Sequence, residues 1–283
     1  MKQINNITII GLGLLGGSMG LALKKRLNLT IYGIDNNPKH IEKALQLGLI
    51  DQKSSFDNIQ QSDVVIIAVP VNKIPEVTLK VLNVITENTL VFDVGSTKHN
   101  LCKTIESHPK RGNFVAAHPI AGTEFSGPEA AFDSLFENKK NIVCNASETH
   151  PSILEKALTL FKIIGLQTDF MESESHDKHI AYVSHLSHIS SFMLGKTVMQ
   201  IEKDEQSIFN MAGSGFESTV RLAKSSPETW TPIFLENKTN ISIALGEYIR
   251  NLQAFKMMID NEQKNEVYKM MKETNHIKDI LKS

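Results

Sequence analysis

Short apolar runs alternate with amphipathic stretches through the first 170 positions, and only amphipathic stretches follow. Ile7–Ile10, Thr30–Ile34, Asp63–Val69, Leu90–Val94, Phe114–Ala117, Asn141–Cys144 and Leu166–Phe170 read as strands. Between them, Leu14–Leu27, Lys39–Leu47, Ile74–Ile85, Lys98–Glu106 and Pro151–Ile164 carry helical periodicity. Several strands are apolar at successive rather than alternate positions, as in Val64-Val65-Ile66-Ile67. Such strands are buried on both faces, so the rhythm predicts a parallel sheet covered by helices.

Beyond about residue 171 the strand-like runs vanish. Ile180, Val183, Leu186 and Ile189 recur at three-residue steps, continued by Leu194 and Val198, which predicts one face of a helix. Ser226-Pro227-Glu228 is a helix start, with an N-cap serine and proline in the first helical position. A single long helix over 227–259 is expected to follow, and a last one over 262–281. A helix of that length cannot bury its apolar positions inside so small a helical region, so a homodimer with intertwined helices is expected.

Gly11-Leu12-Gly13-Leu14-Leu15-Gly16 follows the first strand and opens the first helix. A glycine triplet alone is weak, but this placement is the one a dinucleotide pyrophosphate needs. Gly11 permits the tight turn, Gly13 lets the backbone approach the phosphates, and Gly16 lets helix and strand pack closely. The helix N-terminus adds amide donors and the positive end of its dipole. Asp35 ends the second strand, where a carboxylate can accept from the adenosine ribose hydroxyls and repel a 2′-phosphate. Asn36 and Asn37 follow, with no arginine to hold that phosphate, so NAD is expected over NADP. Val69 and Pro70, at the end of the strand over 63–69, are expected against a ribose of the same cofactor. The fold class is therefore α/β: an N-terminal Rossmann-type parallel-sheet domain over 1–170, then an all-helical C-terminal domain over 171–283.

Composition narrows the function. The net charge is -1 over 283 residues, with charges of both signs dispersed, which gives no electrostatic case for nucleic acid or a membrane surface. No apolar run approaches the roughly 18–20 residues of a membrane span, and no leader precedes Ile7. Cys102 and Cys144 stand alone, which fits a reducing cytoplasm. His185 and His188 are spaced to share a metal, but no third ligand follows at suitable spacing, so no metal is expected. His176 and His179 are expected at a helix start, facing solvent or capping it.

Two segments fall at strand ends on the carboxyl side of the sheet, where α/β folds bind ligands. They are Asp93-Val94-Gly95-Ser96-Thr97-Lys98 and Ala117-His118-Pro119-Ile120-Ala121-Gly122-Thr123-Glu124. Hydride transfer from a carbinol needs a base for the hydroxyl proton, and an imidazole titrating near neutrality suits that task. His118 is the candidate base, and Ser96 a candidate to orient it.

The order of these motifs resembles the prephenate dehydrogenase family, which includes cyclohexadienyl and arogenate dehydrogenases. The carriers are G-L-G-L-L-G at 11–16, D-V-G-S-T-K at 93–98 and H-P-I-A-G-T-E-F-S-G-P at 118–128. V-S-H-L-S-H at 183–188, a glycine-rich stretch ending in Arg221, and W-T-P-I-F-L-E-N-K at 230–238 complete the set. The resemblance implies NAD-dependent oxidation and decarboxylation of prephenate in a homodimer, with an arogenate or broad cyclohexadienyl dehydrogenase as the alternative and a non-catalytic NAD-sensing binding protein as a distant one. It implies that His118 bonds the ring hydroxyl with support from Ser96, and that Arg221 binds a substrate carboxylate. It further implies that His188, as a donor, recognises the pyruvyl side chain and that Glu124 stands near the site entrance. Tyrosine, a product mimic, is left open as an inhibitor. The chain departs from the family's F-K-D-x-T-R pattern, with Glu217 and Ser218 in place of lysine and aspartate. Arg221 itself is retained.

Overall fold

The computed structural model describes residues 4–203 and 207–281. Eight strands form one sheet: β1 (Asn6–Ile10), β2 (Thr30–Ile34), β3 (Gln52–Lys53), β4 (Val64–Ile67), β5 (Leu90–Asp93), β6 (Phe114–Pro119), β7 (Lys140–Cys144) and β8 (Gln167–Met171). Their order across the sheet is β3-β2-β1-β4-β5-β6-β7-β8. The chain reverses its direction of travel across the sheet between β1 and β4, which opens a crevice at their carboxyl ends.

Two strands, β7 and β8, depart from the expected all-parallel sheet. β7 runs antiparallel to β6, with His118 opposite Ile142, and β8 then pairs parallel with β7. The segment between β6 and β7 holds only a single 3-10 turn at Pro128–Ala130, so it lacks the crossover helix that a parallel return needs. The crossover from β7 to β8 is made by α5 (Pro151–Ile163).

Helices cover both faces. One core layer joins Ile7, Ile9, Ile66, Phe92, Val115 and Ala117 to α1 (Leu14–Lys24) and α5, with Phe92 and Phe161 packed edge to face. The other joins Val65, Ile67, Val91, Phe114 and Ala116 to α3 (Ile74–Val84) and α4 (His99–Ile105). Strand periodicity puts Asp93 and His118 on this second face, at the carboxyl ends of β5 and β6. α2 (Pro38–Gln46) begins on Pro38 with the Asn37 side chain accepting from Lys39 N, as an N-cap should.

After β8 the described residues are helical: α6 (Ser173–Ile180), α7 (Leu186–Glu202), α8 (Ser214–Val220), α9 (Pro227–Glu236), α10 (Lys238–Asp260), α11 (Lys264–Thr274) and α12 (Ile277–Ile280). A π-helical turn, Ala181–His185, joins α6 to α7. That extra residue shifts the helical phase. Ile180 is buried, but Val183 is 73% exposed and Leu194 also faces out, so the stripe expected from three-residue steps is not the buried one. The buried face instead carries Ala181, His185 and Ser191.

The expected single helix over 227–259 is two helices. Ser226 caps α9 through Thr229 N as foreseen. Pro232 lacks an amide, and Asn237 leaves helical geometry (φ -105°, ψ 26°) to turn its side chain inward. By contacts the chain divides into Met1–Lys238, which includes the sheet and α6 to α9, and Thr239–Ser283. No described helix is long and apolar enough to cross a membrane.

Candidate active site

The glycine turn has the shape a dinucleotide requires. Gly11 sits at φ +94°, and a Cβ there would lie 2.5 Å from Ala68 O, so the turn is pressed against the end of β4. A Cβ on Gly16 would lie 1.9 Å from Gly11 O, which leaves no substitution at that position. A Cβ on Gly13 would meet nothing within 4 Å. The space over Gly13 is therefore open, beside the first-turn amides of Leu14, Leu15 and Gly16, which have no intrahelical acceptors. Asp35 is fixed at the rim: its carboxylate accepts from Leu12 N and Asn37 N, both at 2.8 Å. His40 Nδ1 lies 3.5 Å from the Oδ2 that Leu12 N bonds, so Oδ1 keeps a lone pair for a ribose hydroxyl. Val69 is half-buried and Pro70 exposed on the other lip of the crevice. These residues fit NAD.

His118 is buried at the end of β6, and its surroundings differ from the expectation that Ser96 orients it. The ring Nδ1 lies 2.8 Å from His176 Nε2, and among the described residues Ser96 makes no hydrogen bond to the imidazole. Nε2 has no protein partner among them. His176, expected to face solvent, is buried because α6 packs against α4 and carries it beneath the sheet's carboxyl edge. Its Nδ1 lies 2.8 Å from Asp177 Oδ1. Asp177 also accepts from Lys98 N (2.8 Å) and His99 N (2.9 Å), the amides that open α4. Burial works against the Asp177 carboxylate, but the bonds from His176, His99 and Lys98 outweigh it and hold the acid below its usual range.

Burial first, then the nearby His176, Lys98 and His185, hold the His118 imidazole well below the ordinary histidine range. It is neutral at physiological pH, as a base must be. Lys98 is itself fully buried and paired with Asp93. Asp93 also accepts from Gly95 N (2.9 Å) and Ala117 N (3.2 Å), which ties the β5 loop to β6. Burial raises the Asp93 carboxyl, opposed by Lys98.

A second group of residues lies on α7 to α9. His188 stacks on Trp230, ring centroids 3.4 Å apart. Its Nδ1 bonds Ser184 O at 3.0 Å. A carbonyl only accepts, so the neutral ring carries its proton on Nδ1 and offers Nε2 as an acceptor. The donor role expected of His188 therefore requires its protonated form, which burial and the charge of Arg221 disfavour. Arg221 is exposed, in the turn after α8. Ser191 fixes that turn to α7, giving its hydroxyl to Thr219 O (2.9 Å) and accepting from Ala223 N (3.1 Å). His185 stands between the two groups, fully buried, its Nδ1 3.3 Å from Asn237 Nδ2 and its Nε2 unpartnered. Burial pushes it down to about 4. Asn237 also donates to Asp177 O at 2.7 Å, which is what the break between α9 and α10 delivers.

Charge on His185 is felt at His118, charge on His188 at His185, and charge on Arg221 at His188, so the four form a chain of neighbours. Glu124 is half-buried in the loop after β6 and makes no hydrogen bond among the described residues. Sequence reasoning missed His176, Asp177, Lys98, Trp230 and Asn237 as site residues. The His118–His176 pair spans 58 positions and the Asp177–Asn237 bond 60. No local spacing marks such pairs, although a histidine–aspartate dipeptide following a sheet strand is a signal of the right kind.

A glycine cradle for a dinucleotide, an acid at its ribose end and a neutral buried imidazole on the adjoining strands define a nicotinamide-dependent dehydrogenase. Comparison with known proteins agrees and narrows the class. The family model for the prephenate dehydrogenase nucleotide-binding domain matches residues 19–168, and that for the prephenate dehydrogenase dimerization domain matches residues 172–273. The prephenate dehydrogenase of Bacillus subtilis is 32% identical over 99% of this chain and 77% of its own. The cyclohexadienyl dehydrogenase of Zymomonas mobilis is 28% identical over 100% of this chain and 98% of its own. The crystal structure of prephenate dehydrogenase from A. aeolicus, in complex with hydroxyphenyl propionate and NAD+, superimposes with a TM-score of 0.89 at 34% identity, covering 98% of both chains. The chain belongs to the prephenate dehydrogenase family and is an NAD-dependent oxidoreductase of that kind.

Proposed function

We propose that the chain converts prephenate and NAD+ to 4-hydroxyphenylpyruvate, CO2 and NADH, with His118 as the base. The observation that carries this reading is the orientation of His118: Nδ1 is occupied by His176, so Nε2 is the nitrogen left for the hydroxyl of a substrate. Bound NAD+ supplies a hydride acceptor. Gly11 to Gly16 and Asp35 hold it, with Val69 and Pro70 on the facing lip. His118 Nε2 takes the ring hydroxyl proton, which is worth roughly 10²–10⁴-fold in rate. Loss of the ring carboxylate as CO2 leaves an aromatic ring whose oxygen is a phenolate, and the proton held on His118 returns to it to give the phenol, so no further acid is needed. Ser96, half-buried and making no hydrogen bond to the imidazole among the described residues, stays available to the same hydroxyl. Arg221 binds a carboxylate through its guanidinium fork, and Glu124 stands at the entrance.

Prephenate is favoured by the cation of Arg221 next to His188 and by Ser218, which stands where the family pattern has an acid. Arogenate, the amino counterpart, is a second reading with its own support: neutral His188 presents an acceptor at Nε2, which suits an ammonium. The protein acts as a homodimer. Ile243, Ile249, Leu252, Met257 and Ile259 are all exposed on α10, which supports burial against a second copy. The two thiols are buried and free, and burial raises both, which is compatible with the reducing cytoplasm proposed as its compartment. The test is NADH formation by the purified chain with prephenate and with arogenate, each with NAD+ and NADP+. Turnover with prephenate and NAD+ well above the other three combinations is expected. Preference for arogenate selects the second reading, and no turnover in any combination refutes both.

A further inference from the structure

We infer that the Asp177–His176 pair is a positioning relay that fixes the tautomer of His118 and so decides which of its nitrogens is the base. This rests on the reading of His118 as the base. The argument starts at Asp177. Its oxygens accept from Lys98 N and His99 N, so the carboxylate is an acceptor at both ends of the group. The third bond, at 2.8 Å to His176 Nδ1, therefore needs its proton on His176. A neutral His176 with Nδ1–H has a bare Nε2. That nitrogen lies 2.8 Å from His118 Nδ1, so the proton between them belongs to His118. Neutral His118 is left with a lone pair on Nε2 alone. Each proton in the chain is set by the one before it.

The relay also answers an electrostatic difficulty. His118 is surrounded by Lys98 from the β5–α4 loop, His185 from the π-helical turn and His176 from α6, all opposing a positive charge on its ring. Asp93 is neutralised locally by Lys98. Asp177, reached through His176, is the anion left to balance the imidazolium that forms as the substrate hydroxyl gives up its proton. A histidine and a carboxylate acting through a shared bond serve serine hydrolases in the same way, where an amide in place of the acid leaves the geometry but reverses the tautomer. Asn237 Nδ2, on the main-chain carbonyl of Asp177, holds the relay in register from the start of α10's neighbour, the α9 end.

The experiment compares His118→Asn, His176→Leu, His176→Gln and Asp177→Asn in the full chain, with prephenate and NAD+. His176→Leu is expected to lower kcat by roughly 10²–10⁴-fold, with KM and NAD+ affinity within about threefold of the parent. His176→Gln is expected to recover at least about tenfold of that loss, because its carboxamide can accept from His118 and donate to Asp177. Long-range 1H–15N NMR correlations are expected to show the Nδ1–H form of His118 in the parent and the Nε2–H form in Asp177→Asn. If Asp177→Asn does not fold, the two His176 variants decide the matter. Parent-like kcat in His176→Leu, equal losses in the Leu and Gln variants, or an Nε2–H tautomer in the parent would each overturn the relay. His118→Asn separates the two levels: parent-like activity there removes the base itself, whereas its loss alongside an active His176→Leu removes only the relay.

Discussion

Replacing Lys98 by methionine tests the electrostatics under the sheet's carboxyl edge. Lys98 and Asp93 are both completely buried and paired. Methionine keeps most of the apolar stem and deletes the charge. Asp93 would retain the amides of Gly95 and Ala117 but lose its cation. Breaking a buried pair from one side costs about 3–5 kcal/mol, because it strands a charge away from water. At about 2–4 °C per kcal/mol for domains of comparable size, the thermal midpoint should fall by about 6–20 °C. The sign of the pH dependence follows from Asp93. Burial already raises its carboxyl in the folded protein, and loss of Lys98 raises it further. A group with a folded pKa above its unfolded value contributes stability that is present below the unfolded pKa and lost as pH rises through the folded one. The deficit of Lys98→Met should therefore be smaller at about pH 5 than at about pH 8. Urea melts of parent and variant at the two pH values measure it. The double variant Lys98→Met with Asp93→Leu should lose less than the single one, since no charge is left unpaired. A deficit equal at both pH values, or a double variant less stable than Lys98→Met alone, would refute this reasoning.

Three further outcomes follow from the same structure. Gly13→Ala should fold like the parent and bind NAD+ at least about tenfold more weakly, whereas Gly16→Ala, with its Cβ 1.9 Å from Gly11 O, should fail to give a stable fold; calorimetry with NAD+ titration separates the two. Arg221→Gln should raise KM for prephenate by about 10–100-fold, the equivalent of about 1.4–2.8 kcal/mol, with kcat little changed, and an unchanged KM would remove Arg221 from the substrate site. The ratio of kcat/KM for arogenate over prephenate should rise with pH through the acid range below 6.5. His188 is held below that value by burial and Arg221, protonated His188 donates to a keto oxygen, and neutral His188 accepts from an ammonium. A ratio independent of pH would place His188 away from the side chain.

What was legible in the sequence was local. The strand runs, the glycine turn and Asp35 each depend on residues close together in the chain, and the sheet they predict is present with its crevice between β1 and β4. His118 stood out because it falls at the end of an apolar strand run. Its partners did not, since β6 and α6 meet only after β7, α5 and β8 have been laid down. The phase of the helix over 173–202 was misread for a different reason. One π-helical turn at Ala181–His185 rotates everything after it, and side-chain patterning at three-residue steps does not register a backbone insertion. The break at Asn237 was hidden because Pro232 and Asn237 each occur within otherwise helical stretches; the buried carbonyl of Asp177 and His185 Nδ1, both distant in sequence, favour turning Asn237 inward. β7 ran antiparallel because a loop without a crossover helix leads into it, a feature that the strand pattern alone does not carry.

The central claim is that Nε2 of His118 receives the proton that prephenate releases. The most direct measurement is single-turnover formation of NADH by His118→Asn, with NAD+ binding measured on the same preparation. The account predicts a rate roughly 10²–10⁴-fold below the parent at neutral pH with NAD+ affinity unchanged. A variant that reduces NAD+ at the parent's rate would contradict it.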